Sequence, residues 1–302
     1  MEYLDEYINV PVLGDGDKVY HYTSAAGLKG ICQGEFWVTE CHFLNDSSEF
    51  QVGTDVFLEV LRKNIIWDDV YEELKLEILR EVKQMNESDT FDNTGAYSGN
   101  YVISFCLDED SPLLWSEYSN FMGYCMKFDF KKLLACFQDD MLVHGKVIYD
   151  HDEQIDCIEK TLEKLFLEHF GLEDFPAWDK MNVMTLAQKK EFISWTSSAC
   201  VLYNMFFKKS WFQGEHEYRF VFMSIHDGGF IKPEKRDIQH FRIKDEVLIP
   251  YIEKRLDDLS GLESVLIGPK NKSDIAVRGL EYFFRNLKLG VEVKKSEMPL
   301  RY

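Results

Sequence analysis

Strand-like segments lie near both ends of this sequence and enclose a largely helical middle. Residues 18–40 read as strand, helix and strand, because β-branched and aromatic runs flank an amphipathic segment. Further strand-like runs follow at residues 101–106, 123–130, 142–149, 216–224, 240–243, 246–250, 263–268 and 291–296. This order predicts one α+β domain over residues 1–302, with helical insertions.

Two insertions are predicted, at residues 47–86 and 150–210. In the first, apolar residues such as Phe57, Leu61, Leu74 and Ile78 recur at intervals of three and four, which is the helical period. Residues 87–100 are polar and aperiodic and read as an exposed loop. Near the carboxyl end, the strand at residues 246–250 is expected to lead into a helical segment at residues 251–259.

The net charge of −19 bears on the partners of the chain. Residues 1–230 carry 41 acidic and 19 basic side chains, whereas residues 231–302 carry 12 and 15. An acidic body repels phosphate backbones, so a protein or small-molecule partner is expected before naked nucleic acid.

The seven cysteines indicate a reducing compartment. They are odd in number, scattered and never in a Cys-x-x-Cys pair. The first ten residues hold three acidic and no basic side chains, and no apolar run approaches the roughly 20 residues of a membrane span. We therefore expect a cytoplasmic protein without a membrane segment.

Charged and polar residues on two predicted strands are candidates for a site. Because side chains alternate along a strand, Glu215, Glu217 and Arg219 are expected to share one face. They read either as a carboxylate pair on a rigid strand or as a solvated ion pair. His21 shares a strand face with Thr23, and a lone strand histidine is more often structural than functional.

Other candidate residues also have a structural explanation beside the functional one. Asn45 reads as a helix cap or as a ligand-binding residue. Trp115 and Tyr118, three residues apart on a short helix, read as core packing or as an aromatic wall of a pocket. Phosphate-loop, dinucleotide-loop, nucleophile-elbow and His-Glu-x-x-His motifs are absent, and Cys41 with His42 lacks convincing partners, so no metal is expected.

Several stretches, in this order, resemble a bacterial family catalogued as Domain of Unknown Function 2971. They span nearly the whole chain, and the family name implies no activity. The matching stretches are residues 19–31, 43–50, 101–129, 208–222, 249–269 and 293–299.

A second resemblance is to the ADP-ribosyltransferase superfamily, including its DNA-modifying toxin branch. Its opening element is matched by a strand histidine and a following helix that ends at glycine, and its terminal glutamate by Glu217. Glu215 and Glu217 are also similar to the Glu-x-Glu element of arginine-directed transferases. The residues that match the opening element are His21, Thr23, Leu28, Ile31 and Gly34.

This second resemblance implies an ADP-ribosyltransferase-like core, with a mixed, mainly antiparallel sheet and NAD as substrate. Glu217 would stabilise the oxocarbenium-like ribose formed when the nicotinamide bond breaks. His21 would orient the adenosine-side ribose, and Arg219 would neutralise the pyrophosphate or hold Glu217. Tyr22, Trp115 or Tyr118 would stack on nicotinamide, and Ser104 would line the site, with Asn45 facing the same cleft.

The expected function is that of an intracellular toxin or phage-defence effector that modifies a protein or small-molecule acceptor. No residue is matched to the central motif of the superfamily. That gap motivates an alternative, a non-enzymatic module that binds a nucleotide or a protein on the same scaffold. A third interpretation is that all of these residues are structural.

Overall fold

Strand β3 is the centre of the sheet. The computed structural model describes residues 8–44, 49–86, 97–138, 141–169, 184–226, 239–244, 246–271 and 273–299. Within them the strands are β1 Lys18–Thr23, β2 Glu35–Glu40, β3 Tyr97–Cys106, β4 Tyr124–Asp129, β5 Met141–Lys146, β6 Glu217–His226, β7 His240–Lys244, β8 Val247–Arg255, β9 Leu262–Ile267 and β10 Glu292–Lys295. The helices are α1 Ala25–Cys32, α2 Glu49–Asn64, α3 Asp68–Asn86, α4 Pro112–Ser119, α5 Phe130–Phe137, α6 His151–Lys164, α7 Leu186–Asn204 and α8 Asp274–Leu287.

These strands form one mixed, mostly antiparallel open sheet, so the α+β class predicted from the sequence is confirmed. The order along the main path is β10-β9-β4-β1-β3-β2-β8-β7, and β6 pairs with both β3 and β5. Strand β10 runs parallel to β9, and the other strand pairs are antiparallel.

The sheet splits beside β3. One edge of β3 pairs with β6 along its whole length. The other edge is shared, because Tyr20 of β1 pairs with Cys106 whereas Thr39 of β2 pairs with Val102. Among the described residues, neither β1 nor β2 is in register with residues 103–105. A gap therefore opens between β1 and β2 at the middle of the sheet.

The two faces of the sheet pack against different helices. Ile103 and Phe220 belong to a core with α1, α5 and α8. Val102 and Val221, which point the other way, belong to a core with α2, α3, α6 and α7. Ser104, Glu217 and Arg219 lie on this second face, which we call the carboxylate face.

The helical stretch expected at residues 47–86 holds two helices, α2 and α3. Two expectations about secondary structure were wrong. Residues 97–100, expected in an exposed loop, begin β3, because they pair in register with β6. Residues 251–255 continue β8 rather than beginning a helix, because Tyr251 to Arg255 pair in register with β2. The segment at residues 87–96 and Asn45 lie outside the described residues.

None of the helices in the described ranges is long and apolar enough to cross a membrane. The helices expected as insertions lie between β2 and β3 and between β5 and β6. Their apolar sides cover the carboxylate face at Val102, Val143 and Val221.

The turn from α1 into β2 depends on Gly34. Its φ is +89°, and an added Cβ would lie 3.2 Å from the carbonyl oxygen of Leu256. This turn aims β2 into the sheet at the edge of the gap.

We expect Gly34→Ala to destabilise the fold by about 1–2 kcal/mol, because an L side chain is strained in the left-handed region. Urea denaturation measures the change. Gly279→Ala is the matched control, since Gly279 lies within α8 and its added Cβ would meet nothing within 4 Å. Helix propensity should make that control neutral or stabilising by up to about 1 kcal/mol. Equal effects at both positions would contradict the prediction.

Candidate functional site

The carboxylate of Glu217 is the centre of a buried ionic cluster. Glu217 begins β6, and its side chain is only 5% exposed. Lys208 Nζ lies 2.8 Å from Oε1, and Arg219 Nε lies 2.5 Å from Oε2. The Ser104 hydroxyl also donates to Oε2, at 3.3 Å. Both carboxylate oxygens are therefore hydrogen-bonded.

Strand register brings these groups together. Ser104 is directly opposite Arg219 in the β3–β6 ladder, so the two side chains share a face with Glu217. Arg219 Nη1 donates to the carbonyl of Met205 (2.7 Å), and the amide of Glu217 donates to the Tyr149 hydroxyl (3.0 Å). The cluster is thus fixed to the end of α7 and to the segment after β5.

Glu215 reaches the cluster from outside the strand. The sequence predicted that Glu215 and Glu217 share a strand face, but Glu215 ends a 3-10 turn and His216 has a φ of +41°. This left-handed residue interrupts the extended backbone, so strand alternation does not extend to Glu215. Its carboxylate is held by Lys208 Nζ at 2.6 Å, and the ammonium group therefore bridges the two carboxylates.

The two carboxyl groups have very different acidities. Burial, together with the hydrogen bond and charge of Glu217, raises the pKa of Glu215 to about 7 against the opposing effect of Lys208. Burial also opposes ionisation of Glu217, but the charges of Arg219 and Lys208 outweigh it and hold the pKa of Glu217 well below its usual range. At neutral pH, Glu217 is anionic while Glu215 is close to its midpoint.

His21 lies in the gap of the sheet. Its ring packs against Phe36 and Phe105, with centroid distances of 5.0 and 5.5 Å. Its Nδ1 is 3.2 Å from the carbonyl oxygen of Ser104. Burial and the positive charge of Arg242 lower the pKa of His21 to about 4, although the Ser104 carbonyl acts in the opposite direction. The imidazole is therefore neutral at physiological pH.

Ser104 is the link between His21 and Glu217. Its carbonyl oxygen accepts from the imidazole, and its hydroxyl donates to the carboxylate. Because β1 meets β3 at Tyr20 and Cys106, His21 leaves the sheet on the face opposite to Glu217. The structure brings the two residues to either side of one strand rather than side by side on one face.

The predicted aromatic residues separate into two groups. Tyr22 and Trp115 are buried, with ring centroids 4.8 Å apart, and Trp115 Nε1 donates to Asp110 (2.6 Å). They pack the core beneath α4. Tyr118 is 37% exposed, and its pKa is raised by burial and by the charges of Glu217 and Glu215. Tyr118 is thus the predicted aromatic residue that faces the cluster.

Of the two remaining predicted residues, one lies apart from the cluster and the other lies outside the described residues. Thr23 ends β1, where it pairs with Tyr124 of β4. Asn45 lies outside the described residues.

Lys208 and Tyr149 are members of the cluster that the sequence did not reveal. Lys208 follows α7, and its amide donates to the carbonyl of Ile148 (3.1 Å), beside the bridge between Ile148 and Phe207. Gln154 donates to the carbonyls of both Ile148 and Lys208. These hydrogen bonds join two segments that are far apart in the sequence. No periodicity marks such contacts, so residue spacing could not have identified them.

A second group offers three metal-ligating atoms. Donor atoms of Glu40, Cys41 and His42 lie within 4.8 Å of one another. Glu40 accepts from His42 Nδ1 (2.8 Å) and from the His42 amide (3.0 Å), as the cap of a 3-10 turn. Burial and the charge of Glu40 raise the pKa of the Cys41 thiol. Capping of the turn accounts for the two hydrogen bonds between Glu40 and His42.

Comparison with known proteins finds one family that matches part of the chain. Residues 114–220 match a family described as "Protein of unknown function (DUF2971)". The matched range holds Trp115, Lys208, Glu215, Glu217 and Arg219. It supports, over about a third of the chain, the family resemblance expected from the sequence.

No curated protein and no solved structure matches the chain. The expected resemblance to the ADP-ribosyltransferase superfamily therefore has no support from these comparisons.

We expect Arg219→Leu to destabilise the protein by about 3–5 kcal/mol, because it removes one partner of a buried charge and leaves Oε2 of Glu217 poorly satisfied. Urea denaturation followed by circular dichroism measures the loss. Arg80→Leu is the control, since Arg80 is 61% exposed and pairs with Glu77 on the surface of α3. The control should change stability by less than about 1 kcal/mol. A mild effect of Arg219→Leu would show that the cluster does not hold the fold together.

Proposed function

We propose that this protein is an NAD-consuming enzyme, an ADP-ribosyltransferase or NAD glycohydrolase, in which Glu217 is the catalytic carboxylate. The observation that carries the proposal is a buried, anionic Glu217 joined through Ser104 to a neutral histidine in a gap of the sheet. The mixed, mainly antiparallel sheet is compatible with an ADP-ribosyltransferase-like fold.

The proposed role of Glu217 follows from the positive charge that develops on the substrate during the reaction. Cleavage of the nicotinamide–ribose bond builds positive charge on the ribose, and a fixed carboxylate stabilises that charge more than it stabilises the ground state. Glu217 is fixed in place by two charged donors, Lys208 and Arg219. Exposure rises from Glu217 through Glu215 to Tyr118, so the substrate enters from the side of Tyr118.

His21 has a defined tautomer in this scheme. A carbonyl oxygen only accepts, so Nδ1 carries the proton that bonds Ser104, and Nε2 of the neutral ring is an acceptor. In our proposal Nε2 accepts from a ligand hydroxyl at the gap between β1 and β2.

The acidic surface suggests the class of acceptor. With a net charge of −19, a protein or small-molecule acceptor is favoured over naked nucleic acid. A role as an intracellular toxin or phage-defence effector is part of the proposal, as an activity that depletes NAD or modifies a host component.

The proposal is tested by release of nicotinamide from NAD. We expect the purified protein to release nicotinamide and Glu217→Gln to lower kcat about 100-fold or more, because the isosteric amide lacks the stabilising charge. Glu77→Gln, which alters an exposed carboxylate on α3, should retain the full rate. Melting curves check that each variant is folded. Absence of release from the unaltered protein, or an equal rate in Glu217→Gln, would refute the proposal.

The same assay has an expected pH dependence. Glu217 stays ionised from pH 5 to 8, whereas Glu215 loses its proton near pH 7. A protonated Glu215 donates to Glu217 and weakens its negative charge, so kcat/KM should rise as the pH rises through about 7. In Glu215→Gln this rise should be absent. An unchanged pH profile in that variant would assign the ionisation to another group.

The structure also offers an observation in favour of the alternative, a non-enzymatic nucleotide-binding module. Lys208, Arg219 and Ser104 already occupy both oxygens of Glu217, as in a structural ion pair. Binding of ADP-ribose without release of nicotinamide from NAD would favour this second function.

A further inference from the structure

The carboxylate face continues across the gap onto β2, β8 and β7. Thr39 of β2 is opposite Val102 of β3 and, on its other side, opposite Tyr251 of β8. Tyr251 in turn is opposite His240 of β7. Paired residues in antiparallel strands share a face, so these side chains lie on the face that carries Ser104 and Glu217.

Arg242 on this face has no acidic partner among the described residues. Its Nη2 donates to the Thr39 hydroxyl (2.8 Å), whereas its Nε is buried and has no hydrogen-bond partner in the described part of the chain. Among the described residues no carboxylate forms an ion pair with it, although the chain holds 53 acidic residues. Burial lowers the pKa of the guanidinium, and its charge is felt by His21 in the gap. A half-buried guanidinium with an unused donor is suited to an anionic ligand.

A row of aromatic rings lies beside Arg242. The rings of Trp37 and Tyr251 are stacked at 4.6 Å and 29°, and those of Tyr251 and His240 at 5.5 Å and 28°. Tyr251 is buried, whereas Trp37 at the end of the row is 44% exposed. An indole that is backed by a second ring and open to solvent on β2 is a platform for a planar base.

These groups lie within reach of the carboxylate cluster. Trp37 is two residues before Thr39 on β2, so its side chain is on the carboxylate face, across the gap from Ser104. With strands about 4.8 Å apart and about 3.3 Å per residue, Trp37 lies roughly 12 Å and Thr39 roughly 16 Å from Glu217. A dinucleotide spans such a distance.

We propose that Arg242 and Trp37 form a subsite for the adenosine diphosphate half of a dinucleotide. The guanidinium binds the diphosphate, and the indole stacks on the adenine. The inference rests on the proposed function, because it places the other half of the substrate whose nicotinamide ribose lies at Glu217. Residues 231–302, which include Arg242, are also the part of the chain in which basic side chains outnumber acidic ones.

The test is calorimetric titration of the full chain with ADP-ribose, which lacks the nicotinamide bond. We expect binding by the unaltered protein and at least a tenfold rise in Kd for Arg242→Gln, with partial recovery in Arg242→Lys. Arg255→Gln is the matched control, because Arg255 lies on the neighbouring strand, is 72% exposed and pairs with Asp257. The control should bind as the unaltered protein does.

Two smaller probes separate the roles of the residues. Inorganic pyrophosphate should lose affinity in Arg242→Gln but not in Trp37→Ala, and adenosine should show the reverse. Trp211→Ala is the control for the indole, since Trp211 is 77% exposed beside Lys209. Trp37 is an exposed residue, so its replacement keeps the test valid even if Arg242→Gln melts early.

The outcomes distinguish the subsite from the enzyme. No binding of ADP-ribose, or equal binding by Arg242→Gln and Trp37→Ala, overturns the subsite. Binding of ADP-ribose that depends on Arg242, without release of nicotinamide, supports the subsite and overturns the proposed enzyme alone. Release of nicotinamide with the same KM in Arg242→Gln overturns the subsite alone.

Discussion

The ion pairs around Glu217 are the interaction on which the middle of this structure depends. One carboxylate joins the start of β6, the end of α7 through Lys208 and the middle of β3 through Ser104. Removing charges from water costs several kcal/mol for each ion, so such a cluster is stable only when its donors and acceptors are well matched. Here the main-chain carbonyl of Met205 and the Tyr149 hydroxyl complete the match. The cluster therefore positions the segments around it as well as its own side chains.

The gap beside β3 is the second constraint. A strand edge without a neighbour exposes carbonyl and amide groups that need partners. At Ser104 the partner is the imidazole of His21, which takes the place of a strand neighbour. This substitution explains why a histidine lies among phenylalanine rings, and burial keeps its imidazole neutral.

The sequence predicted the secondary-structure elements better than it predicted the contacts between them. The α+β class, the strands around His21 and Glu217, and the position of α1 follow from local periodicity and from the cap at Ser24. The sequence predicts a helical segment from Tyr251, yet pairing with β2 makes Tyr251 to Arg255 a strand. The convergence of Lys208, Ser104 and Glu217 depends on contacts between residues 9 and 113 positions apart. No local pattern encodes such contacts.

The hydrogen bonds that the Glu217 oxygens already accept decide how a ligand can bind this carboxylate. Lys208 and Arg219 are charged donors at 2.8 and 2.5 Å, and their displacement would leave ions buried without partners. The Ser104 hydroxyl, at 3.3 Å, is neutral and the most distant of the three donors. A ribose hydroxyl that replaces it keeps the number of hydrogen bonds constant and removes no charge from its partner. If Glu217 acts as proposed, a substrate hydroxyl can bind it at the position of the Ser104 hydroxyl while both ion pairs persist, so tight ion pairing is compatible with the proposed catalysis.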